Sequence, residues 1–162
     1  MERGFFTNTY DLVIFDRDGV INRAPQNNKR YVLSLEELFI NSLVLKFIVD
    51  LQAKGIFACV ATNQQCVGKK LISVAQLNEI HTKIVNNILA SGGEPIKFFV
   101  CPHLVEVNCL CRKPKPGLLI DAINFFGISP AKTLFIGDSI SDKEAADSAK
   151  VHFMFIENLK LD

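Results

Sequence analysis

The sequence predicts an α/β fold of three layers, a central and mostly parallel sheet with helices on both faces, and three observations predict it. Short apolar runs rich in β-branched and aromatic residues recur at wide spacing, at 12–15, 56–61, 97–100, 133–136 and 152–156. Between them, apolar residues fall three and four apart, the period of a helix with one buried face. Glycine and serine punctuate the joins: Gly55, Gly92, Gly93 and Gly127 stand where helices would end on a left-handed residue, and Ser34, Ser73 and Ser141 where they would be capped. Strand then helix, repeated, argues for parallel strands, whose reactive side chains gather beyond the carboxyl ends.

The elements follow in order. LVIF (12–15) is a buried strand, and the polar, turn-rich RAPQNNKR (23–30) leaves it as a surface loop. Leu43, Phe47, Ile48 and Leu51 mark a helix, IFACVA (56–61) a second strand, and Leu77, Ile80, Ile84 and Ile88 a second helix, in which His81 reads as a surface or half-buried packing residue. KFFV (97–100) is the third strand, followed by a cysteine-rich loop, the helix LLIDAINFF, the strand TLFI (133–136) and a last strand HFMFI (152–156). Cys59, Phe98, Phe99, Phe125, Phe126 and Phe135 read as core, and His152 as structural.

A chain of 162 residues suits one domain, 1–162, able to bury roughly two thirds of the surface its unfolded form exposes. The formal net charge is +1 with no basic run, which argues against a nucleic-acid partner. The N-terminus MERGFFTNTY lacks the apolar core of a secretory leader, and the apolar runs are too short to cross a bilayer, so the expected location is cytoplasmic with no membrane partner. Without an apolar stripe or heptad run, a monomer is expected. Cytoplasmic cysteines stay reduced, so the three of five that crowd one loop read as metal ligands rather than disulfides.

Chemistry concentrates at the strand ends. Asp16 directly follows the first strand and Asp18 lies two residues on, before Gly19; a carboxylate there is costly unless a cation or hydrogen bonds stabilise it, although Asp before Gly is also a common turn. The fourth strand runs into Gly137 and Asp138, with Asp142 four further on. In a parallel sheet both ends open on one edge, where carboxylates would repel unless they shared a divalent ion, and an oxygen cage beside a phosphate suits magnesium. The alternative for Asp138 is a helix N-cap, a place Ser141 could fill. The second strand ends in Thr62, Asn63 and Gln64, whose hydroxyl and amides can donate to phosphate oxygens. Arg112 and Lys113 in CRKPKPG precede prolines that restrict the backbone before a helix, and supply positive charge for an anion, unless the turn is merely solvated.

This ordered set, DxD, then Thr, then Lys before a helix, then GDxxxD, resembles the phosphatases of the haloacid dehalogenase superfamily from Leu12 to Ile156. The resemblance implies a Rossmann-like, HAD-like fold, with Asp16 the nucleophile and Asp18 the general acid and base. It also implies that Thr62 and Lys113 hold the phosphoryl group, and that Asp16, Asp18 and Asp138 form the magnesium site. No stretch is long enough for a large cap domain, so the site is expected to be open.

Cys101, His103, Cys109 and Cys111 form CxHx5CxC, one histidine and three thiolates that match a tetrahedral zinc. The set leaves no open position, so the zinc is expected to be structural and to orient Arg112 and Lys113. This loop narrows the resemblance to a subgroup that contains D-glycero-D-manno-heptose 1,7-bisphosphate phosphatases and histidinol-phosphate phosphatases. CRKPKPG and RYV (30–32) lean toward the first, a sugar bisphosphate substrate of lipopolysaccharide precursor synthesis; the short spacing between His103 and Cys109 leans toward the second. QQCVGKK (64–70) departs from the heptose pattern, with Cys66 in place of a glycine and Lys69 in place of an arginine that offers a bidentate fork. A nucleic-acid 3′-phosphate ranks behind these small esters for want of a basic surface, and a non-catalytic zinc-stabilised binding module is the alternative from another class.

Overall fold

The computed structural model describes residues 9–26 and 29–161. Residues 1–8, read above for a leader, and residues 27 and 28 of the polar loop lie outside the described residues. Strands β1 (Leu12–Phe15), β2 (Phe57–Asn63), β3 (Lys97–Cys101), β4 (Thr133–Gly137) and β5 (His152–Phe155) form one all-parallel sheet in the order β3-β2-β1-β4-β5. The helices are α1 (Ser42–Gln52), α2 (Gln65–Gly68), α3 (Val74–Ala90), α4 (Gly117–Phe126) and α5 (Ile140–Ala149). The second strand begins one residue later than expected and carries on through Thr62 and Asn63, because Thr62 and Asn63 still register with Val100 and Cys101 of β3.

Both faces of the sheet are covered, which is why the strands read as continuous apolar runs. Val13, Phe15, Val60, Leu134 and Ile136 pack with Val44, Leu45, Ile48 and Leu51 of α1 and Ile84 and Ile88 of α3. Leu12, Ile14, Cys59, Ala61 and Phe135 pack on the other side with Leu118, Leu119 and Ala122 of α4 and Ala145 and Ala146 of α5. Each large side chain so buried contributes about 1.5–3 kcal/mol. A smaller cluster of Val32, Cys66, Ile72, Leu77 and Ile80 fastens the chain after the polar loop over α2 and α3.

Several expectations need correction. Leu43 is 47% exposed, because the buried stripe of α1 runs through Val44, Ile48 and Leu51, one residue round the helix. Phe125 is not core: it is 61% exposed on the outer side of α4, with Lys97 Nζ 4.6 Å from its ring centre. Ser141 does not cap α5; Ser139 does, accepting from Asp142 N while the Asp142 side chain accepts from Ser139 N. Ser73 caps α3 with a full capping box to Gln76, whereas Ser34 makes no side-chain cap bond. Gly55, Gly92 and Gly127 take the expected left-handed conformation, but Gly93 does not. His81 is buried, and its contacts belong to the site described next. Among the described residues no helix is long and apolar enough to cross a membrane.

Candidate active site

The carboxyl ends of β1 and β4 are pinned together by Asp16 N, which donates to Ile136 O at 2.9 Å. Beyond β1 the chain turns tightly, with Asn22 N on Arg17 O (3.0 Å) and Gly19 N on Asn22 O (2.7 Å). Gly19 has φ +89°, and a Cβ there would fall 1.8 Å from Asp138 Oδ2. Only glycine therefore lets the loop after β1 lie directly against the residue after β4. Gly137 does the same for Asp142, whose side chain would meet a Cβ at 2.6 Å.

Lys113 is buried at the centre of this rim. Its Nζ lies 2.9 Å from Asp16 Oδ1 and 2.6 Å from Asp142 Oδ1, and donates to Ala61 O at 2.9 Å. One carboxylate oxygen each from Asp16, Asp138 and Asp142 falls within 4.8 Å of the others. The trio expected for magnesium was Asp16, Asp18 and Asp138; Asp142, whose role the sequence left open, joins Asp16 and Asp138 in this close cluster. Asp142 Oδ2 accepts from Asp138 N (3.2 Å), Ser139 N (3.2 Å) and Ser139 Oγ (2.7 Å), so one side chain completes the capping box of α5 and pairs with Lys113. The signal for it was present in the sequence, since Ser139-x-x-Asp142 is a capping-box spacing.

Burial raises Asp16 to about 7, with the charges of Asp142 and Asp18 adding to it against the pull of Lys113. Burial and Asp142 likewise raise Asp138 to about 6. Lys113 itself loses solvation, but Asp16 and Asp142 outweigh that loss and hold it above the usual lysine range. One ammonium does not neutralise three carboxylates at close range. An all-oxygen set that resists full ionisation on its own fits a hard divalent cation such as magnesium, which Asp16 and Asp138 could hold at the open rim.

Asp18, beside this group, is engaged by a second set of partners. It accepts from Arg17 Nη2 at 2.9 and 3.0 Å and Nε at 3.1 Å, from Asn22 Nδ2 at 2.9 Å and from Gln64 Nε2 at 3.0 Å. Burial opposes its ionisation, but Arg17, Asn22 and Gln64 prevail and hold it below the usual carboxylate range. Gln64 also donates to Thr62 Oγ1 at 2.8 Å, tying the end of β2 to the loop after β1. Asn63 grips the Lys113 backbone twice, Nδ2 on Lys113 O (3.0 Å) and Oδ1 under Lys113 N (3.1 Å). Arg112 Nη2 donates to Gln65 Oε1 at 3.3 Å, while its Nη1 is buried without a hydrogen-bond partner among the described residues. Thr62, Asp16, Asp18, Lys113 and Asp138 thus share one rim, which the side chains of Asn63 and Gln64 brace through their bonds to Lys113, Thr62 and Asp18.

The four predicted zinc ligands also meet. Cys101 Sγ lies 3.6 Å from His103 Nδ1 and from Cys109 Sγ, and Cys111 Sγ lies 3.2 Å from His103 Nδ1 and 3.4 Å from Cys109 Sγ. A tetrahedron with ~2.3 Å zinc–sulfur bonds has edges of roughly 3.5–3.8 Å, close to this spread. Without a cation the thiols compete: burial and its neighbours raise Cys111 to about 12, while hydrogen bonds from Cys111 and the Arg112 backbone overcome burial and lower Cys109 to about 6. The loop is joined to α2 by Gly68 N on Pro102 O (3.0 Å). A hollow of about 610 Å³ beside Phe57, Phe125 and Phe126 lies at the opposite edge of the sheet and contains none of the predicted site residues.

The profile of the polynucleotide kinase 3 phosphatase family matches residues 11–162. A D-glycero-beta-D-manno-heptose-1,7-bisphosphate 7-phosphatase of Neisseria meningitidis is 38% identical over 137 residues, covering 85% of this chain and 72% of that protein. The histidine biosynthesis bifunctional protein HisB of Legionella pneumophila is 31% identical over 143 residues, 88% of this chain but 40% of the longer protein. Among solved structures, D,D-heptose 1,7-bisphosphate phosphatase from Bordetella bronchiseptica, crystallised with magnesium and phosphate, superimposes with a TM-score of 0.82 at 34% identity, covering 88% of this chain and 78% of that one. A strand order centred on β1, acidic groups gathered at its carboxyl end and a match along nearly the whole sequence lead to one assignment: the chain belongs to the polynucleotide kinase 3 phosphatase family, within the haloacid dehalogenase superfamily of phosphatases.

Proposed function

We propose that this chain removes one phosphate, that on C7, from D-glycero-D-manno-heptose 1,7-bisphosphate in lipopolysaccharide precursor synthesis, through a phosphorylated Asp16. The observation that carries the reading is the pairing of Asp16 and Asp142 with the buried ammonium of Lys113, with a carboxylate oxygen of Asp138 within 4.8 Å of theirs. Asp16 Oδ1 already accepts from Lys113 Nζ and from Arg17 N (2.8 Å), so attack is assigned to Oδ2. That oxygen bonds to phosphorus as the ester P–O bond breaks, and Asp18 gives its proton to the departing sugar oxygen. Asp18 then takes a proton from water, whose oxygen attacks phosphorus; the bond to Asp16 breaks and inorganic phosphate leaves. Asp18 is ionised before substrate arrives; the ester binds as its monoanion and passes its proton to Asp18, which gives it to the leaving oxygen, and the proton later taken from water departs with the inorganic phosphate.

Thr62 and Lys113 bind the equatorial oxygens of the phosphoryl group, and Arg112 Nη1, buried without a partner, serves a second anionic group. Asp16 and Asp138 would hold magnesium, which when bound would supply the remaining neutralisation that a carboxylate needs to approach a dianion. Cys101, His103, Cys109 and Cys111 hold a structural zinc, which keeps the loop carrying Arg112 and Lys113 folded. The names of the relatives from Neisseria and Bordetella support the heptose substrate. Histidinol phosphate is the second reading, favoured by the short His103–Cys109 spacing and the likeness to HisB.

The test is phosphate release by purified, magnesium-saturated protein from heptose bisphosphate and histidinol phosphate side by side. Higher kcat/KM on the heptose is expected, and the reverse order would exchange the two readings. Release from neither, nor from any ester of a broader panel, would leave a zinc-stabilised binding module.

A further inference from the structure

Behind Asp18, on the side away from the open rim, lies a buried chain of contacts that the reaction above does not use. Arg17 is fully buried and spends Nε and Nη2 on Asp18. Its Nη1 lies 3.3 Å from Nε2 of His81, a residue of α3 far along the sequence. A guanidinium in a protein keeps its proton and has no acceptor. Nε2 must therefore be the acceptor, which requires a neutral ring with its proton on Nδ1. The rest of the environment agrees: His81 is stacked on Phe98 of β3 with ring centres 4.0 Å apart and planes 13° from parallel, and burial with the Arg17 charge lowers it to about 3.

We propose that His81 is a positioning residue for phosphate transfer: its neutral Nε2, held in place by the stack on Phe98, fixes the one Arg17 rotamer that aligns Asp18 with the leaving oxygen. Arg17 has a long, flexible stem, and its three bonds to Asp18 alone define a pair that can swing as a unit. The His81 contact, from an element outside the loop, removes that freedom, while Asn22 and Gln64 hold Asp18 from its other sides. Nothing charges or discharges at His81. It acts through geometry, and displacement of a reacting group by about 1 Å is enough to lower turnover by ~10²-fold.

The inference rests on Asp18 as the proton-transfer group, and the experiment separates the two. Steady-state kinetics of the magnesium-saturated enzyme are measured for His81→Leu, which removes the acceptor, His81→Gln, which offers a carboxamide oxygen in its place, and Asp18→Asn. His81→Leu is expected to lower kcat about 10- to 100-fold with KM changed less than about twofold, and His81→Gln to recover most of the loss. A His81→Leu enzyme with native kcat, or a folded His81→Gln enzyme no better than the leucine variant, overturns the proposal while Asp18→Asn inactivity leaves the mechanism standing. Native turnover by Asp18→Asn instead removes the mechanism and the proposal with it. Should the leucine variant fail to fold, nitrogen NMR of the unaltered protein decides: an unprotonated Nε2 is expected, and a proton there refutes the contact.

Discussion

Asp16 and Lys113 show how stability and chemistry oppose each other at a single side chain. Asp16 is raised to about 7 by burial, so its charge is a liability to the fold until a cation arrives. Asp16→Asn is expected to leave the melting temperature of magnesium-free protein unchanged or higher while lowering kcat by several orders of magnitude. Lys113→Met acts the other way on the fold, leaving Asp16 and Asp142 without their shared partner; urea unfolding is expected to show a loss of about 3 kcal/mol. Asp16, Thr62 and Asp138 stood out in the sequence because they follow apolar strands whose carboxyl ends share one edge, and Lys113 because it precedes prolines that restrict the backbone before a helix. Asn63 and Gln64 were not fully legible. A carboxamide offers donors and an acceptor to whichever neighbour comes near, and only the fold reveals that Asn63 faces the Lys113 backbone.

At the scale of elements, strands were read within a residue or two because burial on both faces leaves an uninterrupted apolar run. Helix faces were less certain: Leu43 and Val44 are equally apolar, and which one turns inward depends on where Asn41 starts the helix, a choice made by its side chain accepting from Val44 N. His81 is the sharper case, since helical periodicity identifies a buried stripe but not a polar contact made at its margin. The capping box of α3 is exposed and self-contained, so Ser73→Ala should cost ~1 kcal/mol in denaturant unfolding with no change in kcat. For the cysteine loop, Cys109→Ser is expected to reduce bound zinc from about one per chain to near none on elemental analysis and to weaken turnover, because Lys113 follows the last ligand by two residues.

For the whole molecule, the crowded rim makes stability depend on pH in an unusual direction. Asp16 and Asp138 bind protons more tightly folded than unfolded, with values of about 7 and about 6 against about 4 in an unfolded chain. Between these limits the folded state holds more protons, so stability falls as pH rises from about 4 to about 7. Asp18, lowered by its partners, acts only below that window. Thermal melts of protein dialysed free of magnesium should therefore give a higher Tm at pH 5 than at pH 7.5, and millimolar magnesium should narrow the gap; a flat profile without magnesium would contradict the site's electrostatics.

The parallel order of the sheet divides the molecule into two poles with different tolerance for change. The turns from a helix back into a strand, at Gly55, Gly92, Gly127 and Lys150, face the pole away from the carboxylates, and the three glycines have open space around them, their left-handed φ being the one local constraint. New loops, tags or fused partners can accumulate there without disturbing a reacting atom. A peptide inserted between Lys54 and Gly55 should leave kcat unaltered, whereas one of equal length after Gly19 should abolish it.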